Sequence, residues 1–128
     1  MIITAKLSDY RQSPRKVRLM AGIIRGKNAE KAVDILSVTV KRAADPIMAL
    51  LKSAIANAKN NFSLSPADLF VKSLAVDNGP ILYRRMPRAR GVAYPIRKRT
   101  SHVTLTLETK EAEIKAPIKT KKAKTAKK

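Results

Sequence analysis

The chain has no cysteine, no tryptophan, one histidine and nine acidic residues among its 128 positions. Without cysteine there is no disulfide and no thiolate-ligated metal. His102, alone among scattered acids, supplies neither a nucleophile–base–orienter triad nor a metal-ligand cluster. No enzyme activity, metal or cofactor is therefore expected. The aromatics are Tyr10, Phe62, Phe70, Tyr83 and Tyr94, too few for the base-stacking platform of single-strand binders. No apolar run approaches the roughly 20 residues of a membrane helix, and Lys52 interrupts the best candidate. The N-terminus shows no hydrophobic signal region, so a cytoplasmic chain is expected.

One absence is local. From Ile81 to Ser101 there is no Asp or Glu, while Arg84, Arg85, Arg88, Arg90, Arg97, Lys98 and Arg99 all fall there. Pro80 precedes the stretch, Pro87 and Pro95 punctuate it, and little in it could fill a core. Like charges repel, and few apolar side chains offset the entropy of ordering. Such a segment is either disordered or held by a polyanion. The whole chain leans the same way, with a formal net charge of +19. Charge on that scale destabilises a compact state and draws the molecule to polyanions. Nucleic acid is the first candidate partner and an anionic membrane surface the second.

Hydrophobic periodicity places the elements. Residues 2–8 alternate, with Ile3, Ala5 and Leu7 on one side, as in a half-buried strand. Ser13-Pro14 reads as an N-cap and first helical residue; Val17, Met20, Ala21 and Ile24 follow at helical spacing up to Gly26. Asn28 caps a second helix with Ala32, Val33, Ile35 and Leu36 as its apolar side. Ile47, Leu50, Leu51, Ala54, Ile55 and Ala58 define a third. It starts either at Asp45-Pro46 or near Val40 with a bend at Pro46, and Asn60-Asn61 mark its exit. Leu69 to Asp77 is a strand, apolar on both faces and so expected at the sheet centre. His102 to Glu108 alternates with Val103, Leu105 and Leu107 inward.

The basic segment thus lies between two strands. One arrangement is a long hairpin turning at Arg88–Gly91, each arm about ten residues or roughly 30 Å. The other uses Asn78-Gly79 as a tight turn and folds 80–87 back on 69–77. Arginines crowded on the domain without counter-charge disfavour the second. A lone two-stranded arm is marginal in water and needs a partner.

The candidate chemistry is phosphate binding. Arg15, Lys16 and Arg18 sit in the first turns of a helix, where the macrodipole disfavours cations; a phosphate there would reconcile charge and dipole. Arginine outnumbers lysine six to one between Ile81 and Ser101, whereas every cation of the tail from Lys115 is lysine. Guanidinium forks suit geometric recognition in the arm, and lysines suit delocalised attraction in the tail. The small residues of Ser53 to Ala58 serve core packing first, with Asn57 available to RNA. Glu108, Glu111 and Glu113 form a solvated strand exit.

Five motifs then fall in order: Ser13-Pro14-Arg15-Lys16-Val17-Arg18, Ile24-Arg25-Gly26-Lys27, Ser53-Ala54-Ile55-Ala56-Asn57-Ala58, Met86-Pro87-Arg88-Ala89-Arg90-Gly91 and Lys98-Arg99-Thr100-Ser101-His102. In this order and spacing, over about residues 3–108, the chain resembles the bacterial type of the large-subunit ribosomal protein twenty-two family. The resemblance implies an α+β fold: three helices packed on a three-stranded antiparallel sheet, with a long protruding β-hairpin. It implies an rRNA-binding domain over 1–110 that includes the hairpin at about 80–101, while composition makes 111–128 a Lys-rich, flexible tail. The RNA-binding set is then Lys6, Arg11, Arg15, Lys16, Arg18, Arg25, Lys27, Asn57, Arg84, Arg85, Arg88, Arg90, Arg97, Lys98 and Arg99. Met86, Pro87, Arg88, Ala89, Arg90 and Gly91 form the hairpin tip in the wall of the peptide tunnel. Leu82-Tyr83-Arg84 fall where the family's macrolide-resistance deletions lie. Implied partners are 23S rRNA, neighbouring large-subunit proteins, the nascent polypeptide and macrolides near the tip, with no membrane and no homo-oligomer. Val92-Ala93-Tyr94-Pro95 departs from a more basic stretch in the family, and the Lys-rich tail is an addition to it. From composition alone, the Lys-Ala-Thr tail also suggests a histone-like, DNA-compacting protein, to which an arginine-rich arm is poorly suited.

Overall fold

Alternating side chains open the chain as strand β1, Ile2–Tyr10, with Ile3 and Ala5 buried and Thr4 and Lys6 exposed. In the computed structural model, which describes residues 1–109, helices α1 (Pro14–Ile24), α2 (Ala29–Val38) and α3 (Ala44–Phe62) follow. A short 3-10 turn at Pro66–Asp68 leads into β2, Leu69–Pro87, which a tight turn joins to β3, Ala93–Thr109. The sheet is antiparallel in the order β1-β3-β2. The Lys-rich tail and Glu111 and Glu113 lie outside the described residues.

The helices form where the sequence predicts, with local differences at their ends. Ser13 has the extended backbone of an N-cap, but its side chain caps nothing. Asn28 does cap α2, its Oδ1 accepting from Glu30 N at 3.2 Å while its Nδ2 donates to the Ala67 carbonyl. α3 begins at Ala44, so neither predicted start is right: Asp45 lies in the first turn, and Pro46 is the third residue. Pro46 needs no bend there, because first-turn N–H groups have no intrahelical acceptor. The helix also runs past Asn60-Asn61 to Phe62, stopping at Ser63 in a left-handed conformation, φ 51°. Val17, Met20 and Ile24 of α1, Leu36 of α2 and Ile47, Leu51, Ala54 and Ala58 of α3 bury themselves against one face of the sheet. The two alanines let α3 approach closely, as the run from Ser53 to Ala58 suggests.

The central strand is β3, not β2 as its two-sided apolarity suggests. Val103, Leu105 and Leu107 are fully buried. The confusion in β2 comes from a register slip at Lys72, where Val71 opposes Leu107 but Ser73 opposes Thr106. A bulge shifts the period-2 phase by one residue. Leu69 and Val71 therefore face the helices before it, and Leu74 and Val76 after it, while Ala75 is exposed. As an edge strand, β2 leaves carbonyls and amides unpaired along its outer side. The α1–α2 link covers them: Gly26 N donates to Val71 O, and Val71 N to Lys27 O, each at 2.8 Å.

The Asn78-Gly79 turn does not form. β2 and β3 continue side by side past the domain, Ile81 opposite Arg99 and Pro87 opposite Ala93. At the root the register slips again, between the Asn78–Ser101 and Ile81–Arg99 pairs. Gly79 occupies this second bulge because a Cβ there would run into the Thr100 hydroxyl. That hydroxyl donates to the Pro80 carbonyl at 2.7 Å, closing the bulge.

Candidate nucleic-acid interface

The root of the arm gathers cations from distant parts of the sequence. Pairing of Tyr10 with Ser101 sets the end of β1 beside β3. Arg11 and Gln12 then face Arg97, Lys98 and Arg99, with Lys16 from the first turn of α1 and Arg42 from the α2–α3 link. Together they line a cleft of about 850 Å³ in which no acidic side chain takes part. Arg42 is held there by its own backbone, whose carbonyl accepts from the Tyr10 hydroxyl at 3.0 Å. Burial raises the pKa of that phenol, opposed by the nearby Arg42 and reinforced by Asp45.

Polar groups around the cleft are left unmatched. Gln12 Oε1 and Ser101 Oγ are buried without a hydrogen-bond partner. Among the described residues, Lys72 is the one lysine or arginine with a carboxylate within reach, Glu108 at 2.8 Å. The cleft's cations therefore form no ion pair among the described residues. The α1 N-terminus contributes its dipole but few donors: Pro14 has no N–H, and Lys16 and Val17 already donate to Ser13 O. Side chains, more than backbone, supply the donors that line the cleft.

Beyond the root the arm is a ribbon with two faces. Residues directly opposite one another share a face. Ile81 and Arg99, Tyr83 and Arg97, and Arg85 and Pro95 make one; Leu82 and Lys98, Arg84 and Ile96, and Met86 and Tyr94 make the other. Every arm residue from Leu82 to Arg99 is exposed. The turn proper spans Arg88 to Val92, closed by Arg88 N on Val92 O at 2.8 Å. Met86 and Pro87 are thus the last rungs of the ladder and not part of the loop. Arg90 and Gly91 both take left-handed backbone, φ 59° and 71°. Gly91 does so without the strain that falls on Arg90.

The other predicted residues divide by what they touch. Arg18 lays its guanidinium on the Val76 carbonyl at 2.8 and 3.1 Å, and Arg25 reaches the Leu74 carbonyl at 2.8 Å. Both cap the outer edge of β2, so a structural duty stands beside any RNA contact. Arg15, Lys27 and Asn57 are exposed on the helical side, apart from the cleft, and Lys6 is exposed on the opposite face of the sheet. Arg84 Nη1 donates to the Tyr83 carbonyl and otherwise projects. Arg42 went unpredicted. Its only signal is the Lys41-Arg42 pair ahead of α3, and its place in the cleft depends on the tether to Tyr10. His102 is structural: its Nδ1 accepts from Asp9 N at 3.1 Å, fixing the irregular end of β1, where Asp9 has φ 54°.

Comparison with known proteins bears on the same span. The family model described as ribosomal protein L22p/L17e matches residues 5–108. Large ribosomal subunit protein uL22 of Herpetosiphon aurantiacus is 49% identical over 104 residues, 81% of this chain and 92% of the relative. That of Clostridium novyi is 50% identical over 98 residues, 77% of this chain and 88% of the relative. That of Mesoplasma florum is 52% identical over 101 residues, covering 79% and 90%. With the cleft, the arm and nearly all of the sheet inside the matched span, the chain belongs to the ribosomal protein L22p/L17e family.

Proposed function

We propose that this chain is a structural constituent of the large ribosomal subunit in the cytoplasm, and that it binds and bridges rRNA through the root cleft and the arm. The observation that carries the reading is the acid-free cleft of Arg11, Lys16, Arg42, Arg97, Lys98 and Arg99 at the base of an arm with no core of its own. Phosphates entering the cleft would neutralise the root, and RNA packed along the arm would order a ribbon that water alone supports poorly. Bridging two RNA segments with one rigid chain would also aid subunit assembly. The family supplies the rest of the proposal: the tip, Met86 to Gly91, lines the nascent-peptide tunnel. Neighbouring subunit proteins would touch the globular body, and macrolides would approach the arm near Leu82 to Arg84. The function requires no catalytic step and no cofactor.

Binding of the full chain to large-subunit rRNA, titrated against salt, tests the core of this. Each neutralised phosphate contributes about −0.7 to −0.9 to the log–log slope. A slope near zero would overturn the electrostatic reading. Deleting Leu82–Arg84 tests the tunnel assignment: incorporation into subunits persists, while macrolide response or nascent-chain stalling changes. Loss of rRNA binding on that deletion would count against it.

A further inference from the structure

α1 has an outer face that the sheet does not use. Leu19 is 68% exposed and Ile23, one turn on, 44%. Opposite them the α2–α3 link brings up Thr39, Lys41 and Ala43, with Val40 beside it 95% exposed. Between helix and link runs a groove of about 430 Å³ whose wall is mostly carbon, from Leu19, Met20, Ile23 and Ala43. Its charged members, Lys16, Lys41 and Arg42, are all positive, and no carboxylate lines it.

The chemistry of this groove is not that of the root cleft. RNA offers phosphates, hydroxyls and base edges, none of which gains by filling an aliphatic trough. A row of exposed apolar side chains in a groove marks a surface that another apolar surface covers. Charge narrows the occupant. The chain's own tail carries lysine and no acid from Lys115 onward, and a second copy brings the same net +19, so the basic rim disfavours both. We propose that the groove between α1 and the α2–α3 link docks an acidic amphipathic segment of another protein. Apolar side chains at helical spacing would fill the trough, and carboxylates would meet Lys16, Lys41 and Arg42. Gln12, Lys16 and Arg42 also line the root cleft, so the protein site and the proposed RNA site share a wall.

The test uses the isotopically labelled full chain and a synthetic helical peptide with Leu at i, i+3, i+4 and i+7 and Glu on its flanks. The amide signals of Leu19, Ile23 and Ala43 shift on titration. Leu19→Ser changes no charge and opens no core, and it weakens binding by about five-fold or more, the scale of one missing apolar anchor. Ile23→Ser, as a second variant, does the same. Lys41→Gln weakens binding and flattens its salt dependence, while rRNA affinity of all three variants stays at the parent value. Equal binding to Leu19→Ser, shifts confined to the arm, or equal binding by a peptide with Ser in place of Leu would each overturn the proposal. So would self-association that Leu19→Ser abolishes, which assigns the groove to a second copy. Proximity of Leu19 to residues 115–128 in the isolated chain, read from paramagnetic broadening, would assign it to the tail.

Discussion

β3 lives in two environments. From Ser101 to Leu107 it is the centre of a sheet, its inward residues wholly buried. From Ala93 to Arg99 the same strand stands in solvent with one neighbour, carrying arginine and lysine where the inner half carries valine and leucine. Across the boundary β3 keeps β2 as its partner, loses β1 and passes a bulge; the source of stability changes with it. The body is held by burial of apolar surface. The arm, with its uncompensated charge, has its ladder and, under the proposed function, the RNA that packs along it. One strand is thus a folding element at one end and, under the proposed function, a binding element at the other, with Thr100 as the junction.

The largest expected effect should separate the two halves outright. Leu105→Ala removes a fully buried side chain and should cost about 2–5 kcal/mol, whereas Met86→Ala on the arm should stay within about 0.5 kcal/mol. Chemical denaturation of both variants measures the contrast, and equal losses would break it. Next, replacing Arg84, Arg85, Arg97 and Arg99 by Gln should leave the melting temperature equal or higher, since repulsion falls. The salt slope of rRNA binding should become shallower by about 0.7 for each phosphate that is no longer neutralised. A lowered melting temperature would show that the arm's charges support the body.

Gly79→Ala probes the boundary itself. Its Cβ would strike the Thr100 hydroxyl, and overpacking at such a site costs about 1–3 kcal/mol. Hydrogen exchange should loosen at the arm's root before the body, and Thr100→Ala should restore part of the stability. The smallest effect concerns Tyr10. Tyr10→Phe removes the bond to the Arg42 carbonyl, worth about 0.5–1.5 kcal/mol. Because burial raises the phenol's pKa, its contribution is complete below about pH 10 and disappears as pH climbs through the raised value. The parent chain should therefore lose more stability than Tyr10→Phe across that alkaline window, and parallel losses would remove Tyr10 from the account.

The body was largely legible in the sequence and the site only in pieces, for physical reasons. α1, α3 and the inner half of β3 each bury one face, so their periodicity shows directly. β2 misled because the bulge at Lys72 changes phase mid-strand, and two half-patterns out of phase look like a strand apolar on both sides. The cleft joins Arg11 and Lys16 to Arg97–Arg99, some eighty residues away, and only the β1–β3 pairing brings them together. Charge counting also could not tell a cation that faces outward from one spent on its own backbone. Arg18 and Arg25 look like their neighbours in the sequence, yet both are tied to β2.

The strand order carries a consequence for synthesis. β1 and β2 each pair with β3 and not with one another, and β3 is the last described element to leave the ribosome that makes it. A growing chain can form its three helices early, but it has no sheet until Val103, Leu105 and Leu107 have emerged. Until then β1 and the inner half of β2 wait without a neighbour, and the apolar faces of the helices have no floor to settle on. Completion of the fold is therefore set by the final tenth or so of the described chain. A copy cut short before Ser101 would be lost as a whole, arm and body together.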